Sequence, residues 1–169
     1  MPERSMKKTI FVRHGRAEDG SFGISDFERS LTTKGKIISR EMALRFRGYE
    51  SSPQLIITSP AFRALETALI FAAECGIKPD DVRLNNDLYF KADMKYLLEM
   101  LALLDDNIDT VTLFGHNPSF TEFADRLCSD GCEFMTKTSV VCISFKAVNW
   151  KEIKFGSGKL EYFLKPDKL

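Results

Sequence analysis

The chain has 169 residues, 44% of them apolar and 28% charged, and its 24 Lys and Arg are balanced by 24 Asp and Glu. That is the make-up of an ordinary soluble protein, read as one domain over residues 1–169, with enough chain to bury a sizeable core. The even charge gives no sign of a polybasic face for nucleic acid, while leaving room for a local positive pocket, and no apolar run approaches the length of a membrane span.

The N-terminus, Met1 to Lys8, is charged, and too few apolar residues follow it to form a signal-peptide core, so a cytoplasmic location is expected. Cys75, Cys128, Cys132 and Cys142 are too sparse for a disulfide framework. Cys128 and Cys132 have the spacing of half a zinc site, but there is no second close cysteine pair and both histidines have better uses. No metal and no cofactor are expected.

The first element is a short buried strand over Thr9 to Val12 that delivers Arg13, His14 and Gly15 at its C-terminal end. Arg16 to Ser30 is polar, glycine-rich and without period, hence a loop bordering whatever the strand end holds. A helix follows, capped by Thr32 or Thr33, with Ile37, Ile38, Met42, Ala43, Leu44 and Phe46 on its apolar face and Gly48 as its stop. Gln54 to Thr58 is a second strand, ending in Ser59-Pro60, and Ala61 to Cys75 a second helix closed by Gly76. Arg63 falls in the first turn of that helix, where a cation is unfavourable for the helix and suited to an anion.

Val82 to Asn85 is a weak third strand, and Asn86 to Phe90 a connection. Asp93 caps a helix running to about Leu104. Asp109 to Phe114 is a fourth strand, which ends in Gly115-His116-Asn117-Pro118 and leads into a helix from Ser119 to about Leu127. Ser139 to Phe145 is a fifth strand, Asn149 to Ile153 a short helical turn, and Lys159 to Leu164 a last strand pairing antiparallel with the fifth. Strands alternating with helices predict an α/β fold, a three-layer α/β/α sandwich around a mainly parallel sheet.

Chemistry in such sheets collects beyond the C-terminal strand ends. Arg13, His14, Arg63 and His116 are all placed there, and His14 and His116 are the only histidines in the chain. Guanidiniums and imidazoles converging without an acidic cluster suit a tetrahedral oxyanion such as phosphate. Asn117 either positions water or holds the turn before Pro118.

The motifs Arg13-His14-Gly15, Ser59-Pro60-Ala61-Phe62-Arg63-Ala64 with Glu66-Thr67-Ala68, and Gly115-His116-Asn117-Pro118 resemble those of the histidine phosphatase superfamily, with its phosphoglycerate mutase-like fold. Arg29-Ser30-Leu31-Thr32 with Gly35, and the tail around Trp150 and Lys159 to Pro166, make the chain most similar to the short SixA-type phosphohistidine phosphatases. The resemblance implies that His14 is a nucleophile that becomes a phosphohistidine. Arg13, Arg63 and a protonated His116 would bind the phosphoryl oxygens, with Arg29 either a further oxyanion contact or a surface ion pair.

The phosphomonoesterase relatives carry a glutamate after the third strand as general acid, and here that place reads Asp87-Leu88-Tyr89-Phe90. Asp87 and Asp93 are the candidate substitutes. An alkoxide leaving group needs such a proton, whereas the imidazole of a phosphohistidine leaves as a neutral ring once its other nitrogen is protonated. The missing acid and the absence of a large closing insert therefore favour a phosphohistidine-bearing protein as substrate, of the phosphorelay or phosphotransfer-carrier kind, acted on by a monomer. The competing readings are a small-molecule phosphomonoesterase and a non-catalytic phosphate-binding module on the same fold.

Overall fold

The computed structural model describes residues 6–21, 23–50, 53–90 and 92–167. The strands are β1 (Met6–Arg13), β2 (Leu55–Thr58), β3 (Val82–Leu84), β4 (Thr110–Gly115), β5 (Val140–Lys146) and β6 (Lys159–Leu164). They form one sheet in the order β3-β2-β4-β1-β5-β6. The first four run parallel, and β5 and β6 are added antiparallel at one side.

Alternation along β1 sets the layers, because successive side chains leave a strand on opposite faces. Ile10 and Val12 pack with Met42, Phe46 and Phe71 of α1 (Thr33–Tyr49) and α2 (Phe62–Glu74). Phe11 points the other way, toward α4 (Met94–Ala102) and α5 (Ser119–Leu127), and meets Phe120 and Phe123 edge-on at 5.3 and 5.5 Å. Each of these fully buried rings contributes about 2–3 kcal/mol by leaving water. The result is the expected three-layer α/β/α sandwich with a mainly parallel sheet.

Most predicted elements form with ends moved by a residue or two, and two differ in kind. The first helix runs through Gly48 to Tyr49, so Gly48 does not stop it. Its N-cap is Thr32, whose Oγ1 accepts from the Gly35 N–H at 2.9 Å. The predicted connection at 86–90 holds a single helical turn, α3 (Asp87–Phe90), started by the Asn85 side chain accepting from the Asp87 N–H at 3.0 Å. No helix among the described residues is long and apolar enough to cross a membrane.

The register of the sheet positions the site. Arg13 pairs with Gly115 across β1 and β4, so His14 and His116 emerge side by side at the same edge. Thr58 pairs with Phe114, which brings Ser59 alongside.

Candidate active site

His14 is buried, and its backbone N–H donates to the Gly115 carbonyl at 3.0 Å. Its Nδ1 lies 2.7 Å from the Gly15 carbonyl, an acceptor only, so Nδ1 carries the proton and Nε2 the lone pair. Burial pushes the His14 pKa down to about 3, helped by the nearby His116, Arg63 and Arg13, against the opposing pull of the Gly15 carbonyl. At neutral pH the ring is therefore neutral with a free nitrogen. Gly15 is required where it stands: a Cβ there would lie 2.7 Å from the Ser39 hydroxyl and 3.2 Å from Leu31. Its N–H donates to Thr67 Oγ1 at 3.0 Å, and that hydroxyl donates to the Arg63 carbonyl at 2.7 Å, so one threonine ties the end of β1 to the start of α2.

Arg63 is buried in the first turn of α2, with Nε 3.4 Å from His14 Nε2. Its other nitrogens are taken by Asp26, Nη1 donating to the backbone carbonyl at 2.8 Å and Nη2 to the carboxylate at 3.1 Å. Asp26 also accepts from the Tyr89 hydroxyl at 2.7 Å and from Arg29 Nη1 at 2.9 Å. The Tyr89, Arg29 and Arg63 bonds hold its carboxyl well below the usual carboxylate range, so Asp26 is an ionised acceptor. Arg29 thus stands one step behind Arg63, with its Nε on the Glu18 carbonyl at 2.7 Å.

The His116 ring centre lies 5.1 Å from that of His14, and the ring meets Tyr89 edge-on at 5.4 Å. Its Nε2 is 2.7 Å from the Ser59 hydroxyl, and its buried Nδ1 has no partner among the described residues. Burial first, and then the Arg63 charge, push its pKa down to about 4, with Asp26 pulling the other way. In the free site His116 is therefore neutral at neutral pH, not protonated, because it shares a desolvated pocket with two guanidiniums.

Arg13 donates from Nη1 to the Met135 carbonyl at 3.0 Å, and the guanidinium lies over the Phe134 ring at 5.6 Å. The same carbonyl accepts from Asn117 Nδ2 at 2.9 Å, while Asn117 Oδ1 takes the Thr121 N–H and hydroxyl at 3.2 and 2.9 Å. Asn117 therefore holds the turn, with Oδ1 taken twice and one Nδ2 hydrogen engaged. Thr138 closes this side, its N–H reaching the carbonyls of Arg13 and His14 at 3.0 and 3.2 Å. It does so in the left-handed region, at φ 63°, a conformation that costs a β-branched residue about 1–2 kcal/mol.

Asp93 caps α4 by accepting from the Tyr96 N–H at 2.7 Å, and Asp87 opens α3. Neither carboxylate bonds to His14 or His116. The side chain that reaches the site from this stretch is Tyr89. Tyr89, Asp26, Ser59, Thr67 and the 134–138 segment carry no role in the sequence reading. Ser59 and Thr67 lie within the quoted motif, Tyr89 in the stretch set against the general acid, and Asp26 in the loop flagged as bordering the pocket, so each of these had a signal to find. Among the described residues no group of three or more His, Cys, Asp or Glu is arranged to hold a metal ion. What converges is a neutral imidazole whose Nε2 lone pair faces the Arg63 Nε–H, a second imidazole and two guanidiniums.

Residues 9–88 match the model of the histidine phosphatase superfamily (branch 1). The chain is 32% identical over 119 residues to an uncharacterized protein of Picosynechococcus sp., covering 69% of this chain and 70% of that one. It is 25% identical over 172 residues to an uncharacterized chloroplastic protein of Arabidopsis thaliana, covering 95% and 78%. Among solved structures, a protein of Nakamurella multipartitia assigned as the phosphohistidine phosphatase SixA superposes with a TM-score of 0.80 at 19% identity, covering 95% of this chain and 96% of that one. The protein histidine phosphatase SixA complexed with tungstate gives 0.77 at 23%, covering 94% and 97%. A mycobacterial glucosyl-3-phosphoglycerate phosphatase gives 0.65 at 15%, covering 92% and 97%. The fold is the phosphoglycerate mutase-like fold of the SixA structures.

Proposed function

Given that the chain belongs to the histidine phosphatase superfamily, we propose that it is a SixA-type phosphatase that removes phosphate from a phosphohistidine on another protein, with His14 as nucleophile. The observation that carries this reading is the bond from His14 Nδ1 to the Gly15 carbonyl. It presents Nε2 for in-line attack, and it keeps a proton on the opposite nitrogen throughout the cycle.

In the first step a bond forms from His14 Nε2 to phosphorus as the N–P bond of the substrate breaks. The electron pair goes to the substrate imidazole, which leaves neutral because its other nitrogen is protonated. Phosphorylated His14 still holds its Nδ1 proton, so water attacking the phosphorus expels a neutral ring in turn and releases inorganic phosphate. Arg63 Nε, beside the attacking nitrogen, and Arg13 stabilise the charge on the transferring group. The buried His116 Nδ1, without a protein partner, gains one when a phosphoryl oxygen enters, and the added negative charge favours a proton there. The tungstate held by one SixA neighbour is a tetrahedral oxyanion of the kind this pocket suits.

The nearest carboxylate on the Arg63 side, Asp26, is held ionised and cannot protonate an alkoxide. That favours an N–P over a C–O–P substrate. The test is hydrolysis, with chelator and no added metal, of a histidine-phosphorylated carrier domain against a simple alkyl phosphate. Fast release from the phosphohistidine and little from the ester is expected. Faster ester hydrolysis would overturn the reading in favour of the small-molecule phosphatase activity named for the mycobacterial neighbour.

A further inference from the structure

The mouth of the site has two unlike walls. On the β3 side, Phe27 packs edge-on against Tyr89 at 5.3 Å and stacks on Phe90 at 6.3 Å, with Phe90 68% exposed. On the opposite side of the sheet order, where residues 134–138 lead into β5, a cavity of about 510 Å³ opens directly beside Arg13. Its walls include Arg16, Lys34, Lys137 and Phe134, with Asp167 the one carboxylate among its lining residues. All three of those cations are exposed, and none has a carboxylate partner within ion-pair distance among the described residues. In a chain whose charges sum to zero, this concentration is local.

The catalytic chemistry does not use these three side chains. Arg13 and Thr138 join the two spaces: both line the cavity, Arg13 adjoins His14 in the chain, and the Thr138 N–H reaches the His14 carbonyl at 3.2 Å. We propose that this cavity is the docking surface for an acidic segment of the phosphohistidine-bearing protein. Carboxylates flanking the phosphorylated histidine would settle against Arg16, Lys34 and Lys137 while an apolar flank meets Phe90. The inference rests on the function proposed above. Charge complementarity carries it: a concave basic wall that continues into an anion pocket raises the encounter rate of an acidic partner and fixes its orientation. The aromatic wall across the mouth orients that partner, since a segment with the reverse polarity would set its carboxylates on bare rings.

The experiment compares two substrates on two enzymes. The substrates are a histidine-phosphorylated phosphotransfer domain with carboxylates around its histidine, and phosphoramidate, which has the N–P bond and no protein. The enzymes are wild type and the double variant Lys34→Glu, Lys137→Glu. A glutamate at position 34 lies in the first turn of α1, where an acid favours the helix. The expected result is a loss of about tenfold or more in kcat/KM on the domain, with phosphoramidate turnover unchanged, which also reports an intact fold. Wild type should in addition lose kcat/KM more steeply on the domain than on phosphoramidate, itself a small anion, as salt is raised. An equal loss on both substrates, or none on the domain, overturns the docking surface and leaves the proposed function standing. If wild type hydrolyses neither N–P bond, the proposed function falls and the docking surface with it.

Discussion

Asp26 takes two of the three guanidinium nitrogens of Arg63, one through its backbone carbonyl at 2.8 Å and one through its carboxylate at 3.1 Å. Only Nε is left facing His14, at 3.4 Å. The loop residue therefore decides how the arginine presents itself to the nucleophile. Replacing Asp26 by Ala keeps the carbonyl contact and frees Nη2, the Tyr89 hydroxyl and Arg29 together. The expected outcome is a fall of about tenfold in kcat/KM on the phosphohistidine substrate, since catalytic groups off their geometry by less than an ångström lose this much. Steady-state kinetics on Asp26→Ala measures it, and an unchanged kcat/KM would show that Arg63 needs no such support.

The activity profile against pH should be displaced from that of an ordinary histidine. His14 must be neutral to attack, and its pKa lies at about 3 in the free enzyme, well under the usual 6.5. The acid limb of kcat/KM, after subtraction of spontaneous hydrolysis, is therefore expected below pH 5, with no fall through the mid-6 range. An acid limb centred near pH 6.5 would mean that the nucleophile is not this buried ring.

Stability should move with pH for the same reason, in a direction set by proton counting. The unfolded chain protonates both histidines below about pH 6.5, whereas the fold resists protonation down to about 3 at His14 and about 4 at His116. Between those values the unfolded state binds more protons, so stability falls as pH falls. From pH 7 to pH 5 the loss is about 2 kcal/mol for each histidine. Denaturant unfolding at the two pH values measures the sum, and His116→Asn should reduce it by about half.

Gly35 offers a test of packing rather than chemistry. A Cβ there would stand 2.2 Å from the Arg16 backbone carbonyl, which cannot swing aside as a side chain could. That carbonyl also accepts the Thr32 N–H at 3.0 Å, so the clash would push the loop leaving Gly15 off the first turn of α1. Gly35→Ala is expected to cost about 2–3 kcal/mol, or about 5–10 °C in Tm by thermal unfolding.

Much of this molecule was legible in the one-dimensional pattern. Short apolar runs located the strands, and period-3.6 apolar spacing the long helices. Because a parallel sheet collects its functional groups at one edge, strand ends alone brought Arg13, His14, Arg63 and His116 together. Those features depend on neighbours a few residues away, and local patterns carry them.

The parts decided by tertiary structure are those whose partners lie far apart in the chain. Asp26 meets Arg63 across 37 positions and Tyr89 across 63, and Arg13 finds the Met135 carbonyl across 122. No spacing rule pairs such residues. The charge states follow the same division. A histidine in a sequence has its ordinary pKa until the fold removes its water and sets two guanidiniums beside it, and only the folded pocket makes both His14 and His116 neutral.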